Sequence, residues 1–363
     1  MINEERLVNT FLELVRIDSP SGHEEVISEH LFRVLGAMTD DVERDEAGNV
    51  IARFPGNDDR APVMLNAHMD TVGTDTGITP VIRDGVIYSD GTTILGADDK
   101  SGVAVILEVM RTLQEHPDIP RPPVEVVFTV GEERGLLGAI ALDTRRLRSQ
   151  RGLVLDSGGP IGTIVVAAPY QDKHWIRVIG KASHAGAAPN EGISAIRVAA
   201  EAIASMRLGQ IDEETTANVG VIHGGVATNI VPEQVEIQSE ARSREESKLV
   251  EQTKHMVECF EKAAAKYGAR VEVEVKRLFD GYRYSPEAPL VRWVAQAAQA
   301  LGFEPIYKET NGGTDANIFN QRGIPCVVIS TGQADVHTKN EHIAIQDMVN
   351  AARLVLRAVE TAE

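Results

Sequence analysis

The spacing of apolar residues from Met1 to about Ala168 predicts strands that alternate with helices. Three short apolar runs, bounded by turn residues, predict buried strands: Val63–Leu65, Val124–Val130 and Leu153–Leu155. Between the first two, Gly102–Leu113 has apolar residues at helical spacing. An N-terminal helix is also predicted, because four apolar side chains share one helical face: Leu7, Phe11, Leu14 and Val15. This alternation predicts an α/β fold with a mostly parallel sheet and helices on both faces.

The pattern changes between residues 172 and 279. Four strands are predicted there, at His174–Val178, Val219–Ile222, Val235–Ala241 and Val271–Val275. Two helices are predicted at Ile193–Met206 and Glu246–Lys266. Two helices and four strands in so short a segment predict a compact α+β domain of the ferredoxin-like type.

The first pattern returns after Gly281. It predicts a helix at Pro289–Ala300, a buried strand at Cys326–Ile329 and a closing helix at Met348–Val359. The sequence therefore predicts a larger domain built from residues 1–171 and 280–363. Residues 172–279 would form a smaller domain inserted into it, which could act as a lid.

Composition narrows the classes of function. The chain of 363 residues carries 54 acidic against 36 basic residues, a formal charge of −18. Such a surface repels phosphate backbones, so nucleic acid is not an expected partner. The two cysteines lie far apart in different contexts and are expected to be reduced packing residues. No signal peptide and no apolar run long enough to span a bilayer is visible, so we expect no membrane association and a cytoplasmic location.

Polar residues with metal-binding chemistry follow the first predicted strand and precede the next helix. His68 and Asp70 are two residues apart on an extended chain, so both side chains can face one cleft. Taken alone, this pair is more typical of a solvated loop than of a metal site. Asp98 and Asp99 stand directly before a helix, where carboxylates often cap free N–H groups. N-terminal capping explains one of these aspartates well. It explains less well why two adjacent aspartates directly follow a run of apolar residues.

Three further positions repeat the pattern. Glu132 and Glu133 follow Val124–Val130 directly, and two like charges at the end of a buried strand need a compensating cation or proton. A solvated acidic turn is the alternative. Asp156 ends the strand Leu153–Leu155, and His337 follows the strand Cys326–Ile329 after a short loop.

The joint pattern favours a metal site over separate caps and turns. The carboxyl ends of strands in an open α/β sheet form the crevice in which ligands bind. Two histidines with several carboxylates suit zinc, or cobalt or manganese in its place. A carboxylate that bridges two ions would hold them about 3.5–4 Å apart and leave one acidic residue free as a base.

The order of these motifs along nearly the whole chain resembles metallopeptidase family 20, which includes peptidase T, carboxypeptidase G and aminoacylases. The matching positions are His68-Met-Asp70, Gly96-Ala-Asp98-Asp99-Lys100, Gly131-Glu132-Glu133, Asp156 and His337. Further motifs most resemble the peptidase T-like tripeptidases: GTTILGADDKSG, GKASHAG, TNIVP, EARS, GGTDAN and VHTKNEH. The resemblance implies a phosphorylase/hydrolase-like catalytic domain with an inserted lid.

The resemblance also implies a dinuclear metal site. His68, Asp98 and Asp156 would hold one ion, and Asp98, Glu133 and His337 the other, so that Asp98 bridges. The two divalent ions would be zinc, with cobalt or manganese as alternatives.

Catalytic and substrate-binding roles follow from the same resemblance. Asp70 would orient the ring of His68, and Glu132 would be the general base that takes a proton from the attacking water. His184 would donate a hydrogen bond to the oxyanion, and Arg242 would pair with a substrate carboxylate. The substrate-binding positions are Asn229, Arg242, Gly313 and Thr314.

The implied activity is release of the N-terminal residue from small peptides, with tripeptides favoured. Within this type of family, Asp rather than Glu at the position of Asp156 tends to accompany aminopeptidases. The first alternative is an N-acyl amino-acid amidohydrolase of the same fold. The second is a binding protein without catalysis, which should have lost a metal ligand or the base, and none is missing. By family analogy, the lid domain could also form a homodimer.

Overall fold

The computed structural model describes residues 1–362 and divides the chain into two compact units. Unit 1 comprises Met1–Val166, Tyr284–Glu309 and the chain from Thr314 onward. Unit 2 comprises Ala167–Arg283 and Thr310–Gly313. The segment 172–279, predicted as a separate domain, lies inside the bounds of unit 2.

The helices match the predicted positions closely where the apolar spacing is regular. They are α1 Glu4–Val15, α2 Glu25–Gly36, α3 Ala97–Glu115, α4 Leu137–Ala141, α5 Ala195–Ala204, α6 Glu246–Tyr267, α7 Pro289–Ala300, α8 Asp315–Gln321 and α9 Ile345–Glu360. The predicted apolar face of the first helix is confirmed, because Leu7, Phe11, Leu14 and Val15 are its buried residues.

The strands extend beyond the predicted apolar runs by a few residues. The first group is β1 Val42–Arg44, β2 Val50–Phe54, β3 Val63–His68, β4 Pro80–Arg83, β5 Val86–Ser89, β6 Val124–Thr129, β7 Arg151–Gly158 and β8 Thr163–Ala168. The second group is β9 Tyr170–Ile179, β10 Gly209–Gln210, β11 Thr215–Gly224, β12 Gln234–Ser243, β13 Arg270–Phe279, β14 Tyr282–Arg283, β15 Ile306–Glu309, β16 Cys326–Gln333 and β17 His342–Ala344.

Unit 1 is built on a mixed sheet whose centre is parallel. Its strand order is β1-β2-β6-β3-β7-β16-β8, and the pairs β6/β3, β3/β7 and β7/β16 are parallel. Strands β3 and β6 are buried along their whole length, which explains why most of their residues are apolar. The predicted α/β class with a mostly parallel sheet and packed helices is confirmed.

The edges of this sheet are antiparallel, and the sequence did not predict them. Strand β2 pairs antiparallel with β6, and β8 pairs antiparallel with β16. In β2, Arg53 interrupts the apolar run, and its guanidinium group pairs with Asp41 at 2.9 Å, Glu43 at 2.6 Å and Glu125 at 3.1 Å. Because all three partners lie outside β2, the local apolar pattern alone does not reveal the strand.

Unit 2 contains a five-stranded antiparallel sheet with the order β10-β11-β12-β9-β13. Its elements follow the chain as β9-α5-β11-β12-α6-β13, which is the βαββαβ arrangement of ferredoxin-like domains. The apolar core below the sheet includes Ile176, Val178, Val235, Ile237 and Phe260. The predicted ferredoxin-like arrangement is therefore confirmed for this unit.

Two further observations bear on the sequence predictions. Both cysteines, Cys259 and Cys326, are free and buried, as the prediction of packing residues requires. None of the helices within residues 1–362 combines the length and the apolar character needed to cross a membrane.

We expect Phe260→Ala to lower the free energy of unfolding of unit 2 by about 3–5 kcal/mol, because it removes a large side chain from a closed core. Phe260 is only 1 % exposed. Urea unfolding followed by circular dichroism measures the change. The neighbouring surface substitution Glu261→Ala is the control and should change stability by less than about 0.5 kcal/mol. Equal midpoints for the two variants would contradict the assigned core.

Candidate metal centre

Unit 1 brings together the five residues that the sequence predicts as metal ligands. His68 is the last residue of β3, and Glu133 lies in a single 3-10 turn, Glu132–Arg134, directly after β6. His337 lies in the loop after β16. Asp156 is within β7 rather than at its end, and Asp98 is in the first turn of α3. The parallel strands thus place most of these side chains at one edge of the sheet.

The side chains form two groups that share Asp98. One ligand atom each from His68, Asp98 and Asp156 lies within 4.8 Å of the others, and the same holds for Asp98, Glu133 and His337. His68 Nε2 is 3.2 Å from Asp98 Oδ1, whereas His337 Nε2 is 3.2 Å from Asp98 Oδ2. The two oxygens of one carboxylate therefore face two different groups, as a bridging ligand requires.

The remaining distances complete each group. His68 Nε2 is 3.9 Å from Asp156 Oδ1, and His337 Nε2 is 2.8 Å from Glu133 Oε1. Asp98 is 9 % exposed and the side chains of Asp156 and Glu133 are about as buried. The donor set of imidazole nitrogens and carboxylate oxygens fits two divalent ions of the zinc type.

Among residues 1–362, no lysine or arginine side chain forms an ion pair with the carboxylates of this site, which pair with the two histidines. Burial raises the pKa values of Asp156 and Glu132 well above their ordinary range, with a further contribution from neighbouring carboxylates. Lys100 is buried nearby, but burial lowers its pKa to about 7 and its Nζ donates to the carbonyl oxygen of Ile17 at 2.8 Å. A divalent cation would offset the carboxylate charge that remains beyond the two histidines.

The two histidines interact strongly with these carboxylates. Hydrogen bonds with Asp98 and Glu133 raise the pKa of His337 to about 10. Burial by itself would lower the pKa of His68, but hydrogen bonds with Asp70 and Asp98 outweigh it and raise that pKa. Burial by itself would likewise raise the pKa of Asp98, but the two histidines hold it below its ordinary value.

Asp70 has two sets of contacts, of which the sequence predicted one. Its Oδ1 is 3.4 Å from His68 Nδ1, the position expected for a carboxylate that orients the ring. Its carboxylate also accepts the backbone N–H groups of Glu132 at 3.1 Å and Glu133 at 3.2 Å. Asp70 is completely buried, so it links the His68 ring to the turn that carries both glutamates.

Glu132 and Glu133 lie in a 3-10 turn rather than in an extended segment in which adjacent side chains point apart. Gly131 precedes the turn with φ +61°, which allows the chain to leave β6 sharply. Glu132 belongs to a further group with His68 and Glu133, so its carboxylate stays beside the metal groups. The separate roles of the two glutamates stay a prediction.

Several acidic residues near the site were given no role from the sequence. Asp315 is 1 % exposed, accepts a hydrogen bond from Thr129 Oγ1, and burial raises its pKa to about 6. Glu24 is also buried, and its Oε1 accepts the N–H of Gly131 at 3.1 Å. Glu341, in the motif VHTKNEH, binds the chain before Asp98. Two of the three, Asp315 and Glu341, stand in motifs that the sequence had already singled out.

In unit 2, the contacts of His184 determine which ring nitrogen carries the proton. Its Nδ1 accepts the backbone N–H groups of Gly186 at 3.1 Å and Ala187 at 3.0 Å. An Nδ1 that accepts two hydrogen bonds leaves the proton of the neutral ring on Nε2. The exposed side chain of His184 can therefore donate from Nε2. The carbonyl of Asn229 accepts the N–H of the adjacent Ala185 at 2.9 Å.

Arg242 already has a carboxylate partner. Its Nε and Nη2 lie 3.1 and 3.2 Å from the two oxygens of Glu240, two residues earlier on β12. Its Nη1 lies 3.5 Å from the carbonyl oxygen of Asn311. A guanidinium group has five N–H donors, so Arg242 keeps donors for a further acceptor while it binds Glu240.

Gly313 and Thr314 have structural contacts in their own units. A Cβ atom at Gly313 would clash with the ring of Phe279, so only glycine fits there. Thr314 caps helix α8, and its side chain accepts from the N–H of Ala316 at 3.3 Å. Their substrate-binding role stays a prediction.

The chain is similar to known proteins over nearly its whole length. Residues 64–361 match the family described as Peptidase family M20/M25/M40. The uncharacterized protein YqjE of Bacillus subtilis is 42 % identical over 100 % of both chains. The crystal structure of aminopeptidase PepT from Bacillus cereus has 43 % identity, covers 99 % of both chains and has a TM-score of 0.88. That of a tripeptidase from Staphylococcus aureus has 41 % identity, covers 99 % of this chain and 98 % of its own, and has a TM-score of 0.92.

We expect Asp98→Ala to abolish metal uptake at both groups, because one carboxylate faces both. Equilibrium dialysis against zinc followed by elemental analysis should give about two ions per wild-type chain and less than one in the variant. The exposed Asp118→Ala is the control and should bind as the wild type does. Retention of both ions by the Asp98 variant would exclude a bridging role.

Proposed function

The chain belongs to peptidase family M20/M25/M40, and from that premise we propose that it is a metal-dependent aminopeptidase that releases the N-terminal residue from small peptides, tripeptides in particular. The family assignment drawn from the sequence motifs is confirmed. The proposal for the substrate draws support from two similar structures, one described as an aminopeptidase and the other as a tripeptidase.

The observation that carries the metal dependence is the geometry of Asp98. Its two oxygens each lie 3.2 Å from a different histidine, with a further carboxylate in each group. In this proposal His68, Asp98 and Asp156 hold one ion, and Asp98, Glu133 and His337 hold the other. When bound, the two ions would polarise the scissile carbonyl and favour ionisation of water near neutral pH.

In this proposal Glu132 carries out the proton transfers. Its carboxylate lies beside the two groups that share Asp98 but is not a proposed ligand in either of them. Burial raises its pKa well above that of an ordinary glutamate, which makes it a stronger base near neutral pH. Glu132 takes a proton from the attacking water and delivers it to the amine that leaves.

Residues of unit 2 act on the substrate in this proposal. His184 donates from Nε2 to the oxyanion, since its Nδ1 is occupied by two backbone N–H groups. Arg242 binds the carboxylate of a short peptide through donors that Glu240 does not use.

Zinc is the proposed metal, with cobalt or manganese able to replace it. A homodimer through residues 172–279 stays a prediction.

The decisive experiment compares hydrolysis of trialanine with hydrolysis of N-acetyl-trialanine by the zinc- or cobalt-loaded protein. We expect cleavage of trialanine alone, with free alanine as the first product, because an aminopeptidase requires the free α-amino group. Release of acetate from the blocked peptide would instead indicate an amidohydrolase that removes acyl groups. Two bound metal ions with no hydrolysis of either peptide would contradict the proposed activity.

We expect Glu132→Gln to keep its metal ions and to lower kcat by about 10²–10⁴-fold, because it removes the base without removing a ligand. Glu133→Gln should instead lose metal, because it alters a proposed ligand. Elemental analysis and steady-state kinetics of both variants test this difference. Metal loss in the Glu132 variant would show that the roles of the two glutamates are exchanged.

A further inference from the structure

Glu341 is a buried carboxylate that accepts three backbone N–H groups from a single short segment. Its Oε2 accepts from Leu95 and Gly96, both at 2.8 Å, and its Oε1 accepts from Asp98 at 2.9 Å. The residue is 1 % exposed, and its partners lie more than 240 residues away in sequence. All of the described hydrogen bonds of its side chain therefore go to the segment from Leu95 to Asp98.

That segment has no conventional helix cap. Gly96, at the N-cap position of α3, has φ +74° and offers no side chain, while Asp98 and Asp99 have non-helical backbone angles. Free N–H groups at the start of a helix need an acceptor when they are buried. Glu341 supplies that acceptor from elsewhere in the chain and, through the N–H of Asp98, restrains the backbone from which the bridging carboxylate extends.

The loop that carries Glu341 also carries His337. Ala334 and His342 close this loop through two backbone hydrogen bonds of 3.0 and 3.1 Å, and the N–H of Glu341 donates to the carbonyl of Thr338 at 3.1 Å. A single loop thus presents His337 to one oxygen of Asp98 and binds the backbone of Asp98 through Glu341. The distance between the two ligands depends on both contacts.

We propose that Glu341 is a positioning residue that sets the orientation of Asp98 between the two metal groups. It acts through the backbone N–H groups that Leu95, Gly96 and Asp98 donate to its carboxylate. The inference rests on the proposed function, because it concerns the metal ions of that site. Mutation of a residue that contacts a metal ligand, but not the metal itself, typically lowers metal affinity by about 10–100-fold.

Glu125 provides a matched control within the same unit. It is 2 % exposed and accepts backbone N–H groups from Arg148 and Ser149, at 2.8 and 2.6 Å to its Oε2. It also pairs with Arg53. Like Glu341, it is a buried carboxylate that binds backbone N–H groups of a loop. None of its described partners belongs to the two groups that share Asp98. If Glu341 had only a structural role, E341Q and E125Q should change the metal affinity to the same extent.

The test is the affinity of the full-length protein for cobalt(II), measured by competition with a chelator, together with the visible absorption of the bound ion. E341Q has one acceptor oxygen where the carboxylate has two, so its amide N–H₂ must face an N–H of the segment. We expect E341Q to bind cobalt about 10–100-fold more weakly, with a changed absorption spectrum, and E125Q to match the wild type. Raising the cobalt concentration should restore the hydrolysis that E341Q loses at low metal.

Wild-type affinity and spectrum in E341Q would overturn the inference, as would an equal loss of affinity in E125Q. E341D keeps both carboxylate oxygens, and we expect it to recover part of the affinity. If E341Q does not fold, E341D carries the same comparison. A wild-type protein that binds no cobalt would refute the proposed function itself, whereas normal wild-type binding with an unaffected E341Q would refute this inference alone.

Discussion

Burial of several carboxylates at the carboxyl edge of one parallel sheet is the constraint on which the rest of unit 1 depends. An ionised carboxylate removed from water is costly unless a cation, a proton or hydrogen-bond donors compensate it. Two histidines reach Asp98, and His68 also lies 3.9 Å from Asp156, but burial still raises the pKa values of Asp156 and Glu132. The edge therefore carries carboxylate charge that a cation would stabilise, and Asp98 is shared by two groups that could each hold an ion.

A second set of buried carboxylates holds the backbone around the ligands. Asp70 accepts from the turn that carries Glu132 and Glu133, Glu24 accepts from Gly131, and Glu341 accepts from the segment before Asp98. In each case a carboxylate satisfies N–H groups that regular secondary structure leaves free. These side chains bind irregular turns without belonging to either of the two groups that share Asp98. Acidic residues consequently serve two purposes at this site, and their burial alone does not distinguish ligands from supports.

The fold was predictable wherever the apolar spacing is regular over many residues. Helix α7 begins and ends where the sequence predicts, and the parallel strands β3 and β6 consist mostly of apolar residues. The antiparallel edges were not predictable, because a strand such as β2 contains Arg53, whose acidic partners Asp41, Glu43 and Glu125 lie outside the strand. Short edge strands depend on pairing across the sheet, and that pairing leaves little trace in the local pattern.

The sequence by itself determined the α/β class, the ferredoxin-like arrangement of unit 2, and the family. It also identified the residues that unit 1 assembles into two groups, because histidine and carboxylate side chains recur near strand ends and in a motif order that resembles the family. Only the tertiary structure decided that each oxygen of Asp98 faces a different histidine and that Glu240 already binds Arg242. It alone gave Glu341 its partners. These features depend on distances between residues far apart in the chain, and a linear pattern of side chains does not contain such distances.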